Sequence, residues 1–430
     1  MQLNAGRMMI LLSIAQPNDA SAHSMKHTDQ KDRTVPRLPA PEERRQILLD
    51  RRDEKMARSP HAYVRGNTAQ YYEWLQAQPG HSLPEGPPIW ICGDCHLGNL
   101  GPLASADGSV ELQIRDFDQS VIGNPAHDLV RLALSLAVAA RGSSLPGVVT
   151  ASMLQHMLKG YAFAFLPAEL QGTLPRPAAV SSALRGAEQR SWKELAEERF
   201  LETRPIIPMG RNFWPISKKE RKAIHELCES SALRALVTRL KSRHKKVKLE
   251  VIDAAYWVKG CSSLGFLRYA VLLGIGDGEY CLIDIKEAVQ ATSVRYADAS
   301  MPRDNAKRVV TGARHLSPAL GERTMPQRFL GRGIFVRELL PQDLKLEIDE
   351  LSVEDAASTA SYLAYVVGCA HARQMDWATG MHWVRQLQEG REDGSAIPSW
   401  LWNSVLQLIA SHETGYLEHC RNYALRQQAH

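Results

Sequence analysis

The sequence predicts an α+β protein with a mainly helical large lobe and a small lobe built on an antiparallel sheet. Apolar residues recur at helical spacing over residues 127–141, and residues 356–374 form a second long helical pattern. Three runs rich in β-branched, aromatic and aliphatic residues predict the sheet, at residues 251–257, 266–273 and 280–285. A glycine-rich turn at residues 274–278 joins the last two runs and indicates a β-hairpin.

The chain divides into four segments by composition. With 430 residues and 44% hydrophobic content it is long enough for two lobes. Residues 1–40 are polar and contain proline, so we expect a disordered leader there, with Met25 as an alternative start. Residues 41–245 are expected to form most of the large lobe, residues 246–345 the small β-rich lobe, and residues 346–430 a helical segment that returns to the large lobe.

Local patterns predict the remaining elements. Stretches rich in Glu, Arg and Leu favour helices, and alternating apolar and polar residues favour strands. Further helices are predicted over residues 41–56, 149–166, 186–200, 217–241 and 303–315, and further strands over residues 89–92, 110–114 and 333–339.

Charge and hydropathy argue against two kinds of partner. The 52 basic residues are nearly balanced by 47 acidic ones, which gives a net charge of +5. Any strong positive potential must therefore be confined to local clusters of basic residues. The densest basic run, residues 241–248, has no aromatic side chain on which a base could stack, so nucleic acid is not an expected partner. No stretch offers the ~20 continuous apolar residues of a membrane span, because even residues 129–140 contain Arg131.

The cysteines indicate a reducing compartment. Seven cysteines, an odd number without framework spacing, favour free thiols in a cytoplasmic protein. Cys92, Cys95 and His96 also spell the attachment motif of haem c. Covalent haem attachment belongs to exported proteins, and the short apolar run near the start is a poor export signal, so haem is not expected.

The candidate chemistry lies in two motifs, Gly93-Asp-Cys-His-Leu-Gly-Asn99 and Asp116-Phe-Asp118, one after each strand of a strand–loop–strand unit. Magnesium bound to phosphates takes oxygen ligands from one or two protein groups. Asn99 and Asp116 at adjacent strand ends suit that role, and Asp118 is a further candidate ligand. Asp94 stands where a loop can direct a carboxylate to a substrate hydroxyl, as phosphoryl transfer requires.

These motifs, followed by Gly123-Asn-Pro-Ala-His-Asp-Leu129, resemble the catalytic loop, metal aspartate and following helix of aminoglycoside and choline kinases. The resemblance implies ATP as phosphate donor and Mg²⁺ or Mn²⁺ as metal ion. It implies that Asp94 is the catalytic carboxylate and that Asn99 and Asp116 hold the metal. It also implies that Asp128 opens the helix that braces the loop.

Within the kinase-like proteins, the whole chain resembles an uncharacterised bacterial family, domain of unknown function 2252 (DUF2252). Nearly everything after the leader takes part in the resemblance. The matching stretches are residues 51–66, 93–131, 259–287, 308–314, 335–337 and 370–373.

The order of the motifs differs from that of ordinary kinases, which place the glycine-rich loop and its lysine first. Here Lys259-Gly-Cys-Ser-Ser-Leu-Gly265 and Ile283-Asp-Ile-Lys286 follow the catalytic loop. A circular permutation reconciles the two orders, because termini usually lie at the surface and only contacts need be preserved. Residues 246–345 then become the nucleotide-binding lobe, and the helix at 356–374 is the one that normally leads into the catalytic loop.

The glycine-rich loop is the expected phosphate site. Backbone N–H groups around Gly260, Ser262, Ser263 and Gly265 can meet phosphate oxygens together with the ammonium group of Lys286. The alternative is a purely structural role, in which the glycines only shape a hairpin. The carboxylate that normally pairs with the lysine should lie on the following helix, which offers only Asp304 at its edge, so a nucleotide-binding pseudokinase stays open.

Five further side chains have weaker assignments. His96 lies in the catalytic motif and is counted among the candidate catalytic residues. We expect it to brace its loop and not to bind a metal, because no second histidine stands at metal-ligand spacing. His371 and Arg373, at the end of a long helix, either contact the catalytic loop or cap the helix's negative end. Arg65 and Arg337 either reach anions or form exposed salt bridges.

The sequence thus predicts an ATP- and magnesium-dependent phosphotransferase acting on a hydroxyl of an unknown small-molecule or protein acceptor, or a relative that transfers a nucleotidyl group. A regulatory pseudokinase and a metal-dependent phosphoester hydrolase are the alternatives. All of this depends on one spatial expectation, namely that Lys286 faces Asp116 across a single cleft.

Overall fold

The computed structural model describes residues 38–78, 82–167, 169–190, 206–240, 243, 247–276, 279–343, 346, 351–391 and 396–428. Apart from residues 38–40, the predicted leader therefore lies outside the described residues. So do most of the predicted helix at 186–200, most of the basic run at 241–248, and the end of the turn at 274–278.

The described chain is a mixed α+β protein with small antiparallel sheets, as the sequence predicts. The helices are α1 Arg44–Ala57, α2 Pro60–Gly66, α3 Thr68–Ala77, α4 Pro125–Gly142, α5 Gly147–Phe163, α6 Ala178–Glu188, α7 Lys218–Glu229, α8 Ser231–Val237, α9 Asn305–Leu316, α10 Pro318–Glu322, α11 Val353–Ala372, α12 Trp377–Gln386 and α13 Ser399–Gln428. The strands are β1 Ile89–Ile91, β2 Leu100–Ala104, β3 Val110–Ile114, β4 Val121–Gly123, β5 Phe213–Trp214, β6 Leu249–Trp257, β7 Arg268–Ile275, β8 Glu279–Glu287, β9 Thr324–Phe329 and β10 Arg332–Leu339. None of the described helices combines the length and the apolar character that crossing a membrane requires.

The largest sheet has six antiparallel strands in the order β5-β6-β7-β8-β10-β9. In its centre Lys286 of β8 lies opposite both Arg268 of β7 and Phe335 of β10, so these three side chains share one face. The opposite face is apolar: Ile285 packs in one buried cluster with Ile224 of α7. The sheet therefore has a core on one side and a row of charged side chains on the other.

A larger hydrophobic core surrounds α4, α5 and α11. Asn124 caps α4 with its side chain, and Pro125 occupies the first turn, where a missing N–H costs nothing. The backbones of α5 and α11 approach so closely that a Cβ on Gly160 would lie 2.0 Å from the carbonyl oxygen of Ser361. The small residues of α11 make this contact possible, and α11 also packs against β1 and β3.

The first two helices join the two cores. Leu48 of α1 belongs to the core behind the six-stranded sheet, where Arg44 also forms a buried ion pair with Glu220 at 2.7 Å. Val64 of α2 belongs to the other core, and its carbonyl oxygen accepts a hydrogen bond from Arg131 at 2.6 Å. The segment from α1 to α2 therefore crosses from one body of the protein to the other. The predicted division into lobes at fixed boundaries stays a prediction.

Several described elements were not predicted from the sequence, among them α2, α3, β2, β4 and β5. Two further differences have a clear local cause. The helix predicted over residues 217–241 is interrupted at Ser230, whose extended backbone and side-chain bond to the N–H of Leu233 start the new helix α8. The edge strand β9 was not predicted, because Pro326 lowers the strand signal; an edge strand tolerates proline at a position that needs no donor.

Candidate functional site

The Asp94 loop, residues 92–99, leaves β1 through a turn that requires glycine. Gly93 has a φ of +74°, and a Cβ there would lie 2.2 Å from the carbonyl oxygen of Gln119. The loop then makes one 3₁₀ turn at Leu97–Asn99, and Nδ1 of His96 accepts a hydrogen bond from the N–H of Gly98 at 3.1 Å. His96 is buried and holds the turn, so the structure gives it a bracing contact.

A buried hydrogen-bond chain fixes the start of this loop. The two carboxylate oxygens of Asp128 accept the N–H groups of Cys92 at 2.7 Å and of Gly93 at 2.8 Å. On the other side, Nε2 of His371 lies 3.2 Å from Oδ2 of Asp128, and its Nδ1 lies 2.8 Å from the hydroxyl of Tyr161. Because a carboxylate only accepts, Nε2 is the donor and Nδ1 accepts from Tyr161. Asp128 and His371 thus support the loop from α4 and α11.

Asp94 is held by two neighbours. Its Oδ1 accepts from Nε of Arg131 at 2.8 Å, and its Oδ2 accepts from the hydroxyl of Thr68 at 2.9 Å. Burial raises the pKa of Asp94, while the charge of Arg131 and the two hydrogen bonds oppose that rise. Each oxygen retains a second lone pair, so the carboxylate can still accept a proton or a hydroxyl hydrogen bond.

Asn99 closes the loop on itself. Its Nδ2 donates to the main-chain oxygen of Asp94 at 3.0 Å. Its main-chain oxygen accepts from the N–H of Arg115, just before Asp116, at 2.8 Å. In the described part of the chain its Oδ1 accepts no hydrogen bond, which leaves that oxygen available to a ligand.

The structure brings Lys286 together with both aspartates of the second motif. The ammonium nitrogen lies 3.5 Å from Oδ1 of Asp116 and directly contacts Oδ2 of Asp118. Lys286 is buried beside the ring of Phe335, whose centroid lies 5.8 Å away. The Asp116 side chain is 42% exposed, against 21% for Asp118, so Asp116 is the more solvent-accessible of the two carboxylates.

The two aspartates differ in acidity. Burial raises the pKa of Asp116, but the positive charges of Lys286, Arg337 and Arg268 outweigh it and hold the pKa below its usual value. Burial, reinforced by the neighbouring charge of Asp116, raises the pKa of Asp118 in spite of Lys286. Asp116 is therefore the more firmly ionised of the two, as a metal ligand should be.

Helix α9 supplies an arginine, and no carboxylate, to this region. Asp304 caps the helix by accepting the N–H of Lys307 at 2.9 Å, so it serves the helix end. Arg308 donates to the main-chain oxygens of Asp118 at 2.9 Å and Ser120 at 2.6 Å. It thereby fixes the segment that carries the aspartates beside the sheet.

The charged face of the sheet contains a triad that sequence reasoning missed. Asp284 is fully buried, and both its oxygens accept from Arg268, at 2.9 and 2.6 Å, while Nε of Arg337 lies 2.9 Å from Oδ2. Burial raises the pKa of Asp284, but Arg268 and Arg337 hold it well below its usual range. The salt bridge expected for Arg337 thus exists but is buried. An aspartate two positions before Lys286 in an otherwise apolar strand was the available signal.

The glycine loop, residues 259–265, joins β6 to β7. Gly260 and Gly265 both have positive φ, of +93° and +100°, which favours glycine at these positions. Ser263 turns its hydroxyl back to the main-chain oxygen of Lys259 at 3.4 Å, and Ser262 is exposed. The loop ends three residues before Arg268, the register partner of Lys286. It therefore lies next to the end of β7 that carries a charged side chain of this face.

Lys259 adds a further cation that sequence reasoning did not single out. Its ammonium group lies 4.2 Å from the centroid of the Trp257 ring, and the guanidinium of Arg268 lies 4.9 Å from the same ring. Burial, with the positive charge of Arg268, lowers the pKa of Lys259 well below its usual value. An anion bound at the glycine loop would relieve this unfavourable environment.

Arg373 and the two cysteines of the first motif make structural contacts. Arg373 donates to the main-chain oxygen of Leu316 at 3.0 Å, so it caps the end of α9 and does not touch the Asp94 loop. Cys92 and Cys95 are buried free thiols, and the Cys92 thiol contacts the main-chain oxygen of Asp116 at 3.4 Å.

The site residues carry oxygen donors of the type that a hard divalent cation prefers. Among the described residues no group of three or more His, Cys, Asp or Glu side chains could hold a metal on its own. Magnesium needs fewer, because phosphate oxygens and water complete its shell. Oδ1 of Asp118 is buried without a hydrogen-bond partner, Asp116 is solvent-accessible, and Asn99 has a free amide oxygen among the described residues. These three residues would hold the ion.

Residues 44–422 match the family described as an uncharacterized protein conserved in bacteria, DUF2252. The chain belongs to this family. The matched range includes every site residue described above, from Asp94 to Arg373, and the family prediction made from the sequence is confirmed. Neither a curated protein nor a solved structure matches the chain.

Proposed function

We propose that this member of the DUF2252 family is an ATP- and Mg²⁺-dependent phosphotransferase that acts on a hydroxyl group. The observation that carries the proposal is the position of Lys286, 3.5 Å from Oδ1 of Asp116. The buried ammonium group lies on the six-stranded sheet and faces the aspartates that follow β3. In a bound metal–polyphosphate complex, the ammonium group would contact the phosphate oxygens and the aspartates would contact the metal ion. Arg268, Arg337 and Lys259 add to the positive potential on the same side.

We further propose that the fold is a circularly permuted kinase-like fold. Strand β6, the glycine loop, β7 and β8 follow in the order of a kinase small lobe, with Lys286 on the third strand. Just beyond the end of α11, the side chain of Gln374 accepts the N–H of Trp90 at 2.9 Å and donates to its carbonyl oxygen at 3.0 Å. The end of α11 therefore adjoins the strand that enters the Asp94 loop, which is where an unpermuted chain would connect them.

In the proposed reaction the acceptor hydroxyl binds to Asp94 and its oxygen attacks the terminal phosphorus of ATP. The bond from that phosphorus to the bridging oxygen breaks, ADP leaves with the electron pair, and the hydroxyl proton passes to Asp94. A carboxylate with a raised pKa is the better proton acceptor. Lys286 stabilises the negative charge of the phosphates. The metal ion, when bound by Asp116, Asp118 and Asn99, neutralises charge on the phosphate oxygens.

A second candidate is nucleotide binding without turnover, in a regulatory protein. The observation that favours it is the buried ion pair between Asp94 and Arg131, which gives the carboxylate a structural task. The two candidates share Lys286 and Asp116 and differ only in the role of Asp94.

ATP consumption in the presence of a bacterial metabolite extract, measured beside nucleotide affinity, separates the candidates. Asp94→Asn keeps the side-chain volume; we expect it to abolish turnover and to preserve Mg-ATP binding. Asp116→Ala is expected to weaken Mg-ATP binding by at least tenfold, as roughly 1.4 kcal/mol of lost metal coordination implies. Asp298→Asn, an exposed aspartate without a hydrogen bond or ion pair to any described residue, is the control.

Each result has a defined meaning. Binding without turnover in the wild type, unchanged by Asp94→Asn, would select the regulatory candidate. Full activity in both Asp94→Asn and Asp116→Ala would refute the phosphotransferase assignment.

A further inference from the structure

Arg65 on α2 is half-buried and, unlike the buried arginines of the site, has no partner among the described residues. Its Nε is buried without a hydrogen bond, and across the described chain its guanidinium makes no hydrogen bond or ion pair. Arg131, by contrast, binds Asp94, and Arg308 binds main-chain oxygens of the aspartate segment. Buried polar atoms are almost always paired, so the unpaired Nε–H of Arg65 in a candidate active site points to a ligand.

The guanidinium of Arg65 lies against the Asp94 loop. A Cβ on Gly98 would be 2.8 Å from Cζ of Arg65, so the absence of a side chain at Gly98 makes room for the guanidinium. Gly98 is next to Asn99, a candidate metal ligand. Arg65 and Asp94 are also close enough for their charges to interact.

The glycine loop lies on the other side of the same arginine. A Cβ on Gly66, the next residue, would be 2.9 Å from Sγ of Cys261 in this loop. Helix α1 holds this loop in place, because Lys55 donates to the main-chain oxygen of Gly260 at 3.0 Å. Arg65 therefore stands where the Asp94 loop and the glycine loop approach each other.

The electrostatics of this position favour an anion. Burial lowers the pKa of Arg65, which means that its charged form is poorly solvated there. Desolvating a cation without a counter-ion is costly, and a bound anion would offset that cost. The fork of N–H donors in a guanidinium matches the spacing of two phosphate oxygens.

We propose that Arg65 binds the terminal phosphate of the nucleotide, between the glycine loop and Asp94. The proposal rests on the phosphotransferase function and adds to it a residue that contacts the transferred group. Lys286 lies on the sheet side and serves the inner phosphates. Arg65 approaches from the side of Asp94 and neutralises charge on the group that moves to the acceptor.

Nucleotide affinity tests the proposal without knowledge of the acceptor. The dissociation constants of Mg-ADP and of the Mg complex of a non-hydrolysable ATP analogue are measured for wild type, Arg65→Ala and Arg65→Lys. Loss of a charge-assisted hydrogen-bond pair predicts a roughly 10- to 100-fold weaker affinity for the ATP analogue in Arg65→Ala. Mg-ADP affinity should change less than about threefold, and Arg65→Lys should restore part of the selectivity.

Two further variants separate charge from position. Gly98→Ala keeps Arg65 but places a methyl group against its guanidinium, so we expect the same selective loss for the ATP analogue. Arg45→Ala removes an exposed arginine from α1 and should leave both affinities unchanged. Thermal unfolding of every variant reports whether the fold is retained.

The outcomes also separate this proposal from the function on which it rests. If wild type binds both nucleotides and Arg65→Ala weakens neither, or weakens both equally, Arg65 does not bind the terminal phosphate and the phosphotransferase assignment is untouched. An effect that appears only with acceptor present would assign Arg65 to an anionic acceptor and overturn the proposal. If wild type binds neither nucleotide, the proposed function fails, and this inference fails with it.

Discussion

Replacing Asp128 by alanine is expected to destabilise the protein by several kcal/mol. In the native structure its carboxylate accepts two buried N–H groups, from Cys92 at 2.7 Å and Gly93 at 2.8 Å, and contacts His371. A buried donor that loses its acceptor costs about 1–3 kcal/mol. The two N–H groups alone therefore predict a loss of about 2–6 kcal/mol, a large part of the roughly 5–15 kcal/mol that stabilises a typical domain.

Denaturant unfolding measures this loss as a shift of the midpoint at constant slope. Asp304→Ala is the matched control, because Asp304 also accepts a backbone N–H through its carboxylate, but at the exposed start of α9. Loss of such a cap costs about 1 kcal/mol. Asp128→Asn keeps the volume and one acceptor oxygen, and should fall between the two. A loss below about 1 kcal/mol for Asp128→Ala would show that the Asp94 loop does not depend on this carboxylate.

Two further predictions concern pH and packing. Burial lowers the pKa of both His127 and His412 to about 4, from 6.5, so the unfolded chain binds more protons between these values. The free energy of unfolding should therefore decrease as the pH falls from about 6.5 to about 4. His412→Gln should reduce proton uptake on unfolding by about one; an unchanged uptake would contradict the assigned burial. Gly160→Ala inserts a methyl group 2.0 Å from the carbonyl oxygen of Ser361 and should cost about 3 kcal/mol in denaturant unfolding. Gly186→Ala, with no atom within 4 Å, should instead stabilise α6 by roughly 0.5–1 kcal/mol, and equal effects would argue against the tight α5–α11 contact.

The sequence predicted elements whose signal is local. The strands β6, β7 and β8 followed from β-branched and aromatic runs, and α4 and α11 from helical periodicity. The structure lengthens or shortens each by a few residues. The break at Ser230 was missed because two neighbouring helices share one amphipathic pattern, and only the capping bond to Leu233 ends the first. Hydrophobic periodicity gives no signal for such a cap.

The proximity of Lys286 and Asp116 was predictable, but only part of what surrounds them was. Lys286 and Asp116 could be paired from the sequence because each stands in a short motif. Phosphoryl transfer requires a phosphate-binding lysine and a metal-binding aspartate close together. Asp118 was expected only as a metal ligand, yet it contacts Lys286 directly. The triad of Asp284, Arg268 and Arg337 depends on the register of three strands, which brings side chains distant in sequence opposite one another. No short-range pattern contains that information.

Long-range contacts explain how the site would tolerate the proposed permutation. The Asp94 loop is braced by His371, 243 residues away from Asp128 along the chain, and the aspartate segment by Arg308, 188 residues away from Ser120. These bonds depend on where the elements lie and not on the order in which the chain visits them. A kinase-like cleft needs one carboxylate loop, one pair of metal ligands and one lysine strand at fixed distances. If the helical and sheet cores keep those distances, moving the chain ends changes the connectivity and leaves the chemistry of the cleft in place.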